Sequence, residues 1–302
     1  PWVEAVAPRL RLPDLVWPGD VAGSVTPPAA QETGLRAGTP VIAGTIDAWS
    51  EAVSVGAQHT GDLMLMYGTT MFLINTVAAR LTAPTLWGTV GAYPGTRNLA
   101  GGMATSGAIT SWLRDLFGSQ DYTSLLDEAR TSGPGARGLL MLPYFAGERT
   151  PVQDPHARGL VAGLTLEHTR GDIYRAALEA TALGVRHNTE TMIGAGGQID
   201  RVVAVGGGTQ GDLWTQIVSD VTGRAQQIPA QTIGASYGAA FLAAASADNV
   251  TIEDWNPVVQ QRTPNPDTRA DYDELYALYL QAYPATADIA HALTERQHRL
   301  SC

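Results

Sequence analysis

Cysteine is almost absent from this chain of 302 residues, since the only one is Cys302 at the last position. One thiol cannot build an internal disulfide framework or a cysteine-based metal centre, and such scarcity agrees with a reducing compartment. No apolar run approaches the roughly 20 residues of a membrane-spanning helix, and no secretory signal segment is recognisable. We therefore expect a cytoplasmic protein that does not contact a membrane.

Basic residues are also scarce, with 19 Lys and Arg against 29 Asp and Glu, and the formal net charge is -10. Such a surface repels phosphate backbones, so nucleic acid is not an expected partner. An anionic small ligand would need local compensation, for which backbone N–H groups at helix starts are suited. The six histidines show no paired metal spacing, and we predict no metal site built from side chains.

Three common catalytic signatures are absent or lack their usual context. The pattern GxSxG occurs once, as GASYG at 234–238 at the start of the predicted Ala- and Gly-rich helix, and this match alone gives hydrolase chemistry only weak local support. A GxxxxGK phosphate-binding loop is absent. The segment GGGTQGD at 206–212 is not a GxGxxG dinucleotide fingerprint, because it lies late in the chain and no ribose-binding acid follows on a next strand. A nucleotide would therefore be held by turn N–H groups and threonine hydroxyls.

Strand-like patterns come first and then alternate with helical ones, which predicts an α/β layered domain. Residues 1–39 are rich in Pro, Gly and Ala and predict loops with one short helix at 28–34. The segment 62–77 predicts a β-hairpin with its turn at Tyr67–Thr70. The remaining predicted elements are a strand at 97–105, a helix from Ser106, a helix at 122–130, a buried strand at 138–145, a long helix N-capped by Asp172, a strand–turn–helix unit at 200–223, a short strand and a closely packing Ala- and Gly-rich helix at 225–247, and a final helix bent or broken near Pro284.

Three glycine-rich turns each follow an apolar strand. They are YGTT at 67–70, ATSGA at 104–108 and VGGGTQGD at 205–212. Glycine lets a backbone approach a ligand closely, and exposed N–H groups in such turns can bind phosphate oxygens. Each turn alone is a weak signal, because ordinary turns have the same composition. The nearby Trp49, Trp112 and Trp214 are expected in the core rather than on a stacking platform.

An acid interrupts the segment GTPVIAGTIDAWSEAVSVGA at 38–57. The segment predicts an apolar strand from Pro40 to Ile46, then Asp47, then a helix from Ala48 to Val55. Aspartate is a favoured N-cap residue, and a strand-to-helix junction is where such a residue lies. The local pattern therefore favours a helix cap, and a chemical role for Asp47 is left open at this point.

Six segments in one order along residues 20–245 give the chain a family resemblance. The sequence resembles the C-terminal half of the FGGY carbohydrate kinases, and within them the xylulokinase-like members. The most specific match is GERTP followed by DP, RG and GL. The six segments are GTPVIAGTIDAWSEAVSVGA, YGTTMFLINT, GGMATSGAITSWLRD, PYFAGERTPVQDPHARGLVAGLTLEHTRGDIYRAALEA, VAVGGGTQGDLWTQIVSDVTG and GASYGAAFLAAAS.

The resemblance implies an α/β fold of the ribonuclease-H-like, actin- and hexokinase-type ATPase class, with a mixed sheet flanked by helices. Residues 1–40 would be the exit segment of a missing N-terminal sugar-binding domain. Residues 41–302 would be the C-terminal nucleotide-binding domain with its C-terminal helices. In the family the N-terminal domain supplies most sugar contacts and an Asp that helps to hold Mg²⁺. A start at Pro1 rather than Met agrees with a piece of a longer protein.

Carried over residue by residue, the resemblance makes Asp47 the catalytic base that accepts the proton of the attacking sugar hydroxyl. Thr69 matches the phosphate-binding threonine, and Gly208 matches the glycine against the adenosine. ATP or ADP and Mg²⁺ are the implied cofactors, with no metal ligand assigned in this chain. The implied nucleotide site comprises Gly68, Thr69, Thr70, Gly107, Ser111, Gly207, Gly208, Thr209 and Asp212.

The chain departs from the family pattern at three of these places. Ser111 stands where glycerol kinases have an amide residue, and Asp212 falls where many members have Asn or Ser. Ala48 stands where xylulokinases often have an Asn beside the base, so the sugar is not defined as D-xylulose. In the GERTP loop, we expect Glu148 and Arg149 to form an internal ion pair that shapes the cleft.

The resulting hypothesis is an ATP- and Mg²⁺-dependent kinase for a hydroxyl of a ketose or polyol, a small-molecule substrate bound through the missing half. This chain alone would be inactive. A hypothesis from another class is a non-catalytic, nucleotide-responsive sensor or scaffold derived from such a kinase. A third is an actin-like ATPase without a sugar substrate, against which the GERTP loop argues. An exposed former domain interface is expected to favour a homodimer.

Overall fold

A computed structural model of the chain describes residues 9–11, 13–118 and 121–301. Within them a mixed sheet lies between two layers of helices, which confirms the predicted fold class. The strands are β1 (Val21–Ser24), β2 (Pro40–Ile42), β3 (Asp62–Tyr67), β4 (Met71–Val77), β5 (Trp87–Val90), β6 (Arg97–Met103), β7 (Leu140–Leu142), β8 (Leu160–Ala162), β9 (Arg201–Val205), β10 (Gln226–Pro229) and β11 (Val258–Arg262). The α-helices are α1 (Pro27–Thr33), α2 (Asp47–Ser54), α3 (Gly107–Leu116), α4 (Tyr122–Ser132), α5 (Arg170–Gly194), α6 (Asp212–Thr222), α7 (Ala235–Ala247), α8 (Ile252–Trp255) and α9 (Arg269–Ser301).

Seven strands form the large sheet in the order β11-β10-β9-β3-β4-β6-β5. Strand β9 runs parallel to both β3 and β10, whereas β4 runs antiparallel to both β3 and β6. It follows that β3, β6, β9 and β10 all point the same way and end at one edge of the sheet. Two small antiparallel sheets, β1-β2 and β7-β8, lie outside it.

The central strands are buried on both faces, and their side chains alternate between two cores. On β3, Leu63 and Leu65 belong to one core, while Met64 belongs to the other. Helices α2 and α7 cover the Met64 face. The opposite face is covered by α3, α4, α5, α6 and α9, which explains why β3 reads as a continuous apolar run rather than an alternating one.

The predicted hairpin is confirmed, with β3 and β4 joined through residues 68–70. The predicted strand from Pro40 to Ile46 is wrong in extent. Only Pro40–Ile42 is a strand, and it pairs with β1 instead of joining the large sheet. The N–H of Ala43 then donates to the carbonyl of Asp20, so the backbone hydrogen bonds of this segment go to the preceding loop.

Two edge strands, β5 and β11, were not predicted from the sequence. Both are short, and almost every residue in them is exposed, so they lack the apolar alternation by which a strand is recognised.

Of the three tryptophans expected in the core, Trp49 and Trp214 are buried as predicted. Trp112 is 48% exposed and packs against Phe145, so its assignment to the core is wrong.

The ends and interior of two helices differ from expectation. The N-cap of α5 is Thr169, not Asp172; the carboxylate of Asp172 lies one turn inside and accepts the N–H of Thr169 at 2.7 Å. Helix α9 continues through Pro284 without a break. Tyr279 and Tyr283, on the turn before the proline, are held by hydrogen bonds to Tyr144 and Asp154, so tertiary contacts offset the missing N–H.

No helix among residues 9–11, 13–118 and 121–301 is both long and apolar enough to cross a membrane.

The closest helix contact on the Met64 face is between α2 and α7. A Cβ added at Gly238 of α7 would overlap the carbonyl oxygen of Ser50 on α2. The hydroxyl of Ser50 donates to the carbonyl of Ala235 at 2.7 Å, which ties the start of α7 to the same turn of α2. The expectation that this Ala- and Gly-rich helix packs closely is confirmed.

We predict that Gly238→Ala lowers the free energy of unfolding by about 1–3 kcal/mol, because the two helices must separate to admit the methyl group. Gly194→Ala, at the end of α5, is the matched control because a Cβ there meets nothing within 4 Å. That control is expected to be neutral or slightly stabilising. Urea unfolding of both variants measures the difference, and equal effects would contradict the packing argument.

Candidate functional site

The three glycine-rich turns lie together at one edge of the large sheet. Strand β3 ends at Tyr67, and its residue Met66 pairs in parallel with Val205 at the end of β9. Strand β6 ends at Met103, which pairs with Met71 immediately after the hairpin turn. The carboxyl ends of strands in such sheets are the usual place of ligand sites.

The hairpin turn is docked onto the start of α3 by backbone hydrogen bonds. The N–H groups of Ser106 and Ala108 donate to the carbonyl of Thr69 at 3.0 and 3.1 Å, and the N–H of Gly107 donates to the carbonyl of Gly68 at 3.0 Å. A Cβ at Gly107 would lie 2.6 Å from that Gly68 oxygen, so only glycine permits the contact. The N–H groups at 106–108 are therefore used inside the protein, contrary to the expectation that this turn offers them to a phosphate.

The third turn approaches the hairpin just as closely. Gly206 has φ +95°, and a Cβ there would lie 2.6 Å from the carbonyl oxygen of Tyr67. A Cβ at Gly208 would lie 2.8 Å from Cβ of Tyr67 and 2.9 Å from the ring of Trp214. By contrast, a Cβ at Gly207 or Gly211 would meet nothing within 4 Å. The turn is thus packed on one side and leaves open space on the other.

That open space is a cavity of about 410 Å³ between the turns and helices α3 to α6. Its volume lies in the range of small-molecule sites. One part of its wall is backbone and small side chains, and the other part is apolar and aromatic. Six predicted nucleotide-site residues lie in the wall: Gly68, Thr69, Gly107, Ser111, Gly207 and Gly208.

Three predicted residues lie outside this wall. The carbonyl of Thr70 accepts the N–H of Gly68 at 3.1 Å, and the hydroxyl of Thr209 donates to the carbonyl of Gly206 at 2.7 Å. Both are thus engaged within their own turns. Asp212, whose side chain is largely exposed, forms an ion pair with Arg262 of β11.

The aromatic wall was missed by sequence reasoning as a binding feature. Tyr122, Tyr174 and Trp214 come from three different helices, so no local pattern joins them. Trp214 is fixed by its indole N–H, which donates to the hydroxyl of Thr181 at 2.8 Å. The hydroxyl of Ser111 lies 3.0 Å from that of Tyr122, which gives Ser111 a protein partner at the rim. Such a wall suits a flat, partly apolar group.

Asp47 lies at the same edge of the sheet but on the opposite face. Helix α2 begins at Asp47, and Ser50 in its first turn donates to the carbonyl of Ala235 at the start of α7, the helix that follows the end of β10 at this edge. The N-cap residue is Ile46, so the interpretation of Asp47 as N-cap is wrong. Its Oδ1 accepts the N–H of Ala48 at 2.8 Å, which orients an exposed carboxylate.

A second carboxylate, Glu51, lies one turn after Asp47. Burial, and then the negative charge of Asp47, raise the pKa of Glu51. Its Oε1 would lie 3.1 Å from a Cβ at Gly234, so it reaches the start of α7. The sequence spacing of four residues could have indicated this pair, since such residues share one helix face.

An open, mostly apolar cleft of about 770 Å³ lies beside the first turn of α2. Ile46 and Trp49, which flank Asp47, lie in its wall together with residues 15–18. The segment before β1 thus meets the large domain next to the exposed acid.

Glu148 is buried behind the turn at 104–108. Its Oε1 accepts the N–H of Ala104 at 2.9 Å and the N–H of Arg149 at 2.7 Å. Burial raises the pKa of Glu148 to about 7, although both hydrogen bonds oppose the shift. The predicted Glu148–Arg149 ion pair is wrong as a direct contact, because the guanidinium of Arg149 is exposed and makes no ion pair among the described residues; its positive charge only lowers the pKa of Glu148. A backbone amide takes the place of the guanidinium.

No group of three or more His, Cys, Asp or Glu that could hold a metal ion occurs in the part of the chain that the structure describes. The chain also contains no lysine. Any cation near a bound anion here would be an arginine or would arrive with the ligand. Arg114 is the near example, lying 4.8 Å from the ring centre of Tyr122.

Comparison with known proteins gives one family. Residues 63–247 match the family model described as the FGGY family of carbohydrate kinases, C-terminal domain. The chain is similar to a xylulose kinase of Staphylococcus epidermidis, with 29% identity over 285 residues that cover 92% of this chain and 58% of that kinase. It is similar to a ribulokinase of Mycolicibacterium smegmatis, with 31% identity over 88% of this chain and 51% of that protein.

A solved structure shows the same fold. The crystal structure of xylulose kinase from Rhodospirillum rubrum matches with a TM-score of 0.84 at 33% identity, over 91% of this chain and 57% of that chain. The chain therefore spans less than two thirds of the length of each of these relatives.

We predict that Glu148→Gln makes the stability of the chain less dependent on pH. The raised pKa means that folded Glu148 keeps a proton that the unfolded chain releases, so its contribution to stability falls as pH rises from about 4.5 to about 7. Glutamine cannot ionise and retains an acceptor oxygen. Urea unfolding measures the free energy of unfolding of both proteins. The value of the variant minus that of the unchanged chain should rise by about 2 kcal/mol between pH 5 and pH 8. A constant difference between the two proteins would contradict the burial of an ionisable carboxyl.

Proposed function

We propose, starting from the fact that this chain belongs to the FGGY family of carbohydrate kinases, that it is the nucleotide-binding and catalytic-base domain of an ATP-dependent kinase. The parent protein would phosphorylate a hydroxyl group of a ketose or polyol. The observation that carries the proposal is the convergence of three glycine turns on one cavity, with the exposed carboxylate of Asp47 at the same sheet edge.

In this proposal residues 41–302 are the C-terminal domain and residues 1–40 lead out of a sugar-binding domain. The β1-β2 sheet is separate from the large sheet, and it joins the exit segment to Val41 and Ile42 at the start of the C-terminal domain. The cleft lined by residues 15–18 and by Ile46 lies where a second domain would face Asp47. A sugar bound between the two domains would then have the acid within its reach.

The cavity fits a nucleotide by its shape and chemistry. Gly207 and Gly211 leave space that a side chain would fill, and the exposed ring of Tyr122, with the edges of the buried Tyr174 and Trp214 behind it, would border a flat base. Thr69, at the tip of the docked hairpin, lies in the cavity wall, and its hydroxyl would donate to a phosphate oxygen. Bound ATP would supply the phosphoryl group, with Mg²⁺ carried mainly by its phosphates. Thr70, Thr209 and Asp212 stay predicted contacts outside the cavity wall.

Asp47 has the properties that a base for this transfer needs. Phosphoryl transfer depends mainly on positioning and charge stabilisation, and the base orients and deprotonates the attacking hydroxyl. Its Oδ1 is held by the N–H of Ala48, while Oδ2 makes no hydrogen bond within the described residues. The free oxygen is the one that would accept the hydroxyl proton. The carboxylate is exposed here, and a closed sugar domain would exclude water from it.

The substrate class follows from the relatives. The curated relatives are named xylulose kinase and ribulokinase, which favours a ketose acceptor. The sugar-contacting residues lie outside this chain in the proposal, so we expect the isolated chain to be inactive as a kinase. A cytoplasmic location and a homodimer stay predictions from the sequence.

We predict that Gly207→Leu abolishes nucleotide binding without unfolding the domain. The new side chain enters open cavity space and meets no protein atom at its Cβ, so the free energy of unfolding should change by less than about 0.5 kcal/mol. Calorimetry with ADP and Mg²⁺ should show the dissociation constant rising at least about tenfold. Gly194→Leu, outside the cavity, is the control. Equal ADP affinity in the unchanged chain and in Gly207→Leu would place the nucleotide elsewhere.

We predict that Asp47→Asn in the full-length parent lowers sugar phosphorylation by roughly 100- to 10,000-fold and leaves ADP affinity unchanged, because only proton transfer is removed. Coupled measurement of ADP release with a panel of ketoses and polyols tests this, and exposed Asp288→Asn is the control. Turnover near that of the parent would reject Asp47 as the base. No sugar-stimulated ADP release by the parent itself would favour the sensor alternative.

A further inference from the structure

A buried loop connects the turn behind the cavity to the last helix of the chain. We call residues 146–154, which contain the GERTP segment, the GERT loop. Its Glu148 has 5% of its surface exposed, and its Oε1 is shared between the N–H groups of Ala104 and Arg149. Ala104 is the first residue after β6, so this carboxylate holds the point at which the strand becomes the turn.

The turn held by Glu148 is the one on which the hairpin rests. From Ala104 the chain passes in four residues to Ser106, Gly107 and Ala108, whose N–H groups fix the carbonyls of Gly68 and Thr69. Gly107 itself lies in the cavity wall, whereas Glu148 and Ala104 do not. Any effect of Glu148 on a ligand must therefore pass through the position of the turn.

The other end of the GERT loop is fastened to α9. The backbones of Glu148 and Asp154 exchange two hydrogen bonds, of 2.8 and 2.9 Å, which close the loop. The side-chain Oδ2 of Asp154 lies 2.6 Å from the hydroxyl of Tyr283 and 2.6 Å from Nε2 of His291, both on α9. A continuous series of hydrogen bonds thus runs from α9 to Ala104.

A third attachment keeps the loop against β6. The N–H of Thr150 donates to the carbonyl of Gly102 at 3.1 Å. In return, the hydroxyl oxygen of Thr150 accepts the N–H of Gly102 at 2.6 Å. Asn188 of α5 lies 2.7 Å from that hydroxyl and fixes it from the other side. With the strand, α5 and α9 all engaged, the loop has little freedom to shift relative to the turn.

We propose that Glu148 is a positioning residue for the nucleotide cavity: anchored to α9 through Asp154, its carboxylate holds the 104–108 turn where the hairpin and the cavity wall require it. The inference rests on the proposed function for the identity of the ligand, but not for the geometry. An acceptor oxygen is the property that matters, because a buried N–H without one costs free energy. Glutamine should therefore serve, and an apolar residue of similar size should not.

Amide hydrogen exchange of the chain, followed residue by residue by NMR, tests the geometry directly. In Glu148→Leu we expect exchange at Ala104 and at 106–108 to accelerate about tenfold or more, while amides of β9 keep their rates. Glu148→Gln should keep the rates of the unchanged chain, and exposed Glu274→Leu on α9 is the control. Unchanged exchange at 104–108, or equal acceleration throughout the sheet, would overturn the positioning role.

Tyr283→Phe provides a second variant in case Glu148→Leu does not fold. It removes one of the two hydrogen bonds from α9 to Asp154 and retains the ring that packs against Tyr144. We expect faster exchange at Ala104 than in the unchanged chain, by a smaller factor than in Glu148→Leu. Exchange at Ala104 that does not respond to Tyr283→Phe would remove α9 from the inference.

ADP affinity of the same variants separates the two proposals. The dissociation constant should rise about tenfold in Glu148→Leu and stay unchanged in Glu148→Gln. Both variants lose the charge of Glu148, so a difference between them reports the loss of the acceptor oxygen. If the unchanged chain fails to bind ADP, the proposed function of the cavity fails, while hydrogen exchange still decides the role of Glu148. If ADP binds equally to Glu148→Leu although the turn is loosened, the positioning role for the ligand is overturned.

Discussion

The docking of the hairpin turn onto the first turn of α3 is the contact on which the site depends. Three backbone hydrogen bonds join the carbonyls of Gly68 and Thr69 to the N–H groups at 106–108. Each contributes on the order of 1 kcal/mol, and together they fix the hairpin tip relative to the sheet. Gly107 is indispensable because a Cβ there would lie too close to the Gly68 oxygen. The cavity then forms between this fixed pair of turns and the glycine turn after β9.

The sheet edge separates two regions with different chemistry. On the face covered by α3 to α6 and α9, the cavity has backbone on one wall and aromatic rings on the other. On the face covered by α2 and α7, the exposed carboxylate of Asp47 borders an apolar cleft. In the proposed function, the nucleotide in the cavity and the acceptor in the cleft would meet across the hairpin tip. The glycine turns that border the cavity lie together because β3, β6 and β9 end at one edge of the sheet.

Much of the fold was predictable from the sequence, and the misses have physical causes. Central strands such as β3 are buried and apolar, so they are recognised easily, whereas the exposed edge strands β5 and β11 carry no such pattern. Pro284 predicted a bend or break, but the helix is not broken there, and Tyr279 and Tyr283 on the preceding turn are held by tertiary hydrogen bonds. Six residues of the predicted nucleotide site do meet at one cavity, because glycines at strand ends are local signals. The aromatic wall gathers residues from three helices and gave no such signal.

The sequence by itself determined the α/β class, the strand–turn–helix order and, through the resemblance of its motifs, the family. These follow from local patterns of apolar residues and glycines, which act over a few residues. Only the tertiary structure decided that the N–H groups at 106–108 are already used, that Glu148 pairs with backbone N–H groups rather than with the guanidinium of Arg149, and that Asp47 follows the helix cap. The first two depend on which distant backbone lies opposite, as for Ala104 and Glu148. Such partners are chosen by how the layers pack, and no local pattern records that choice.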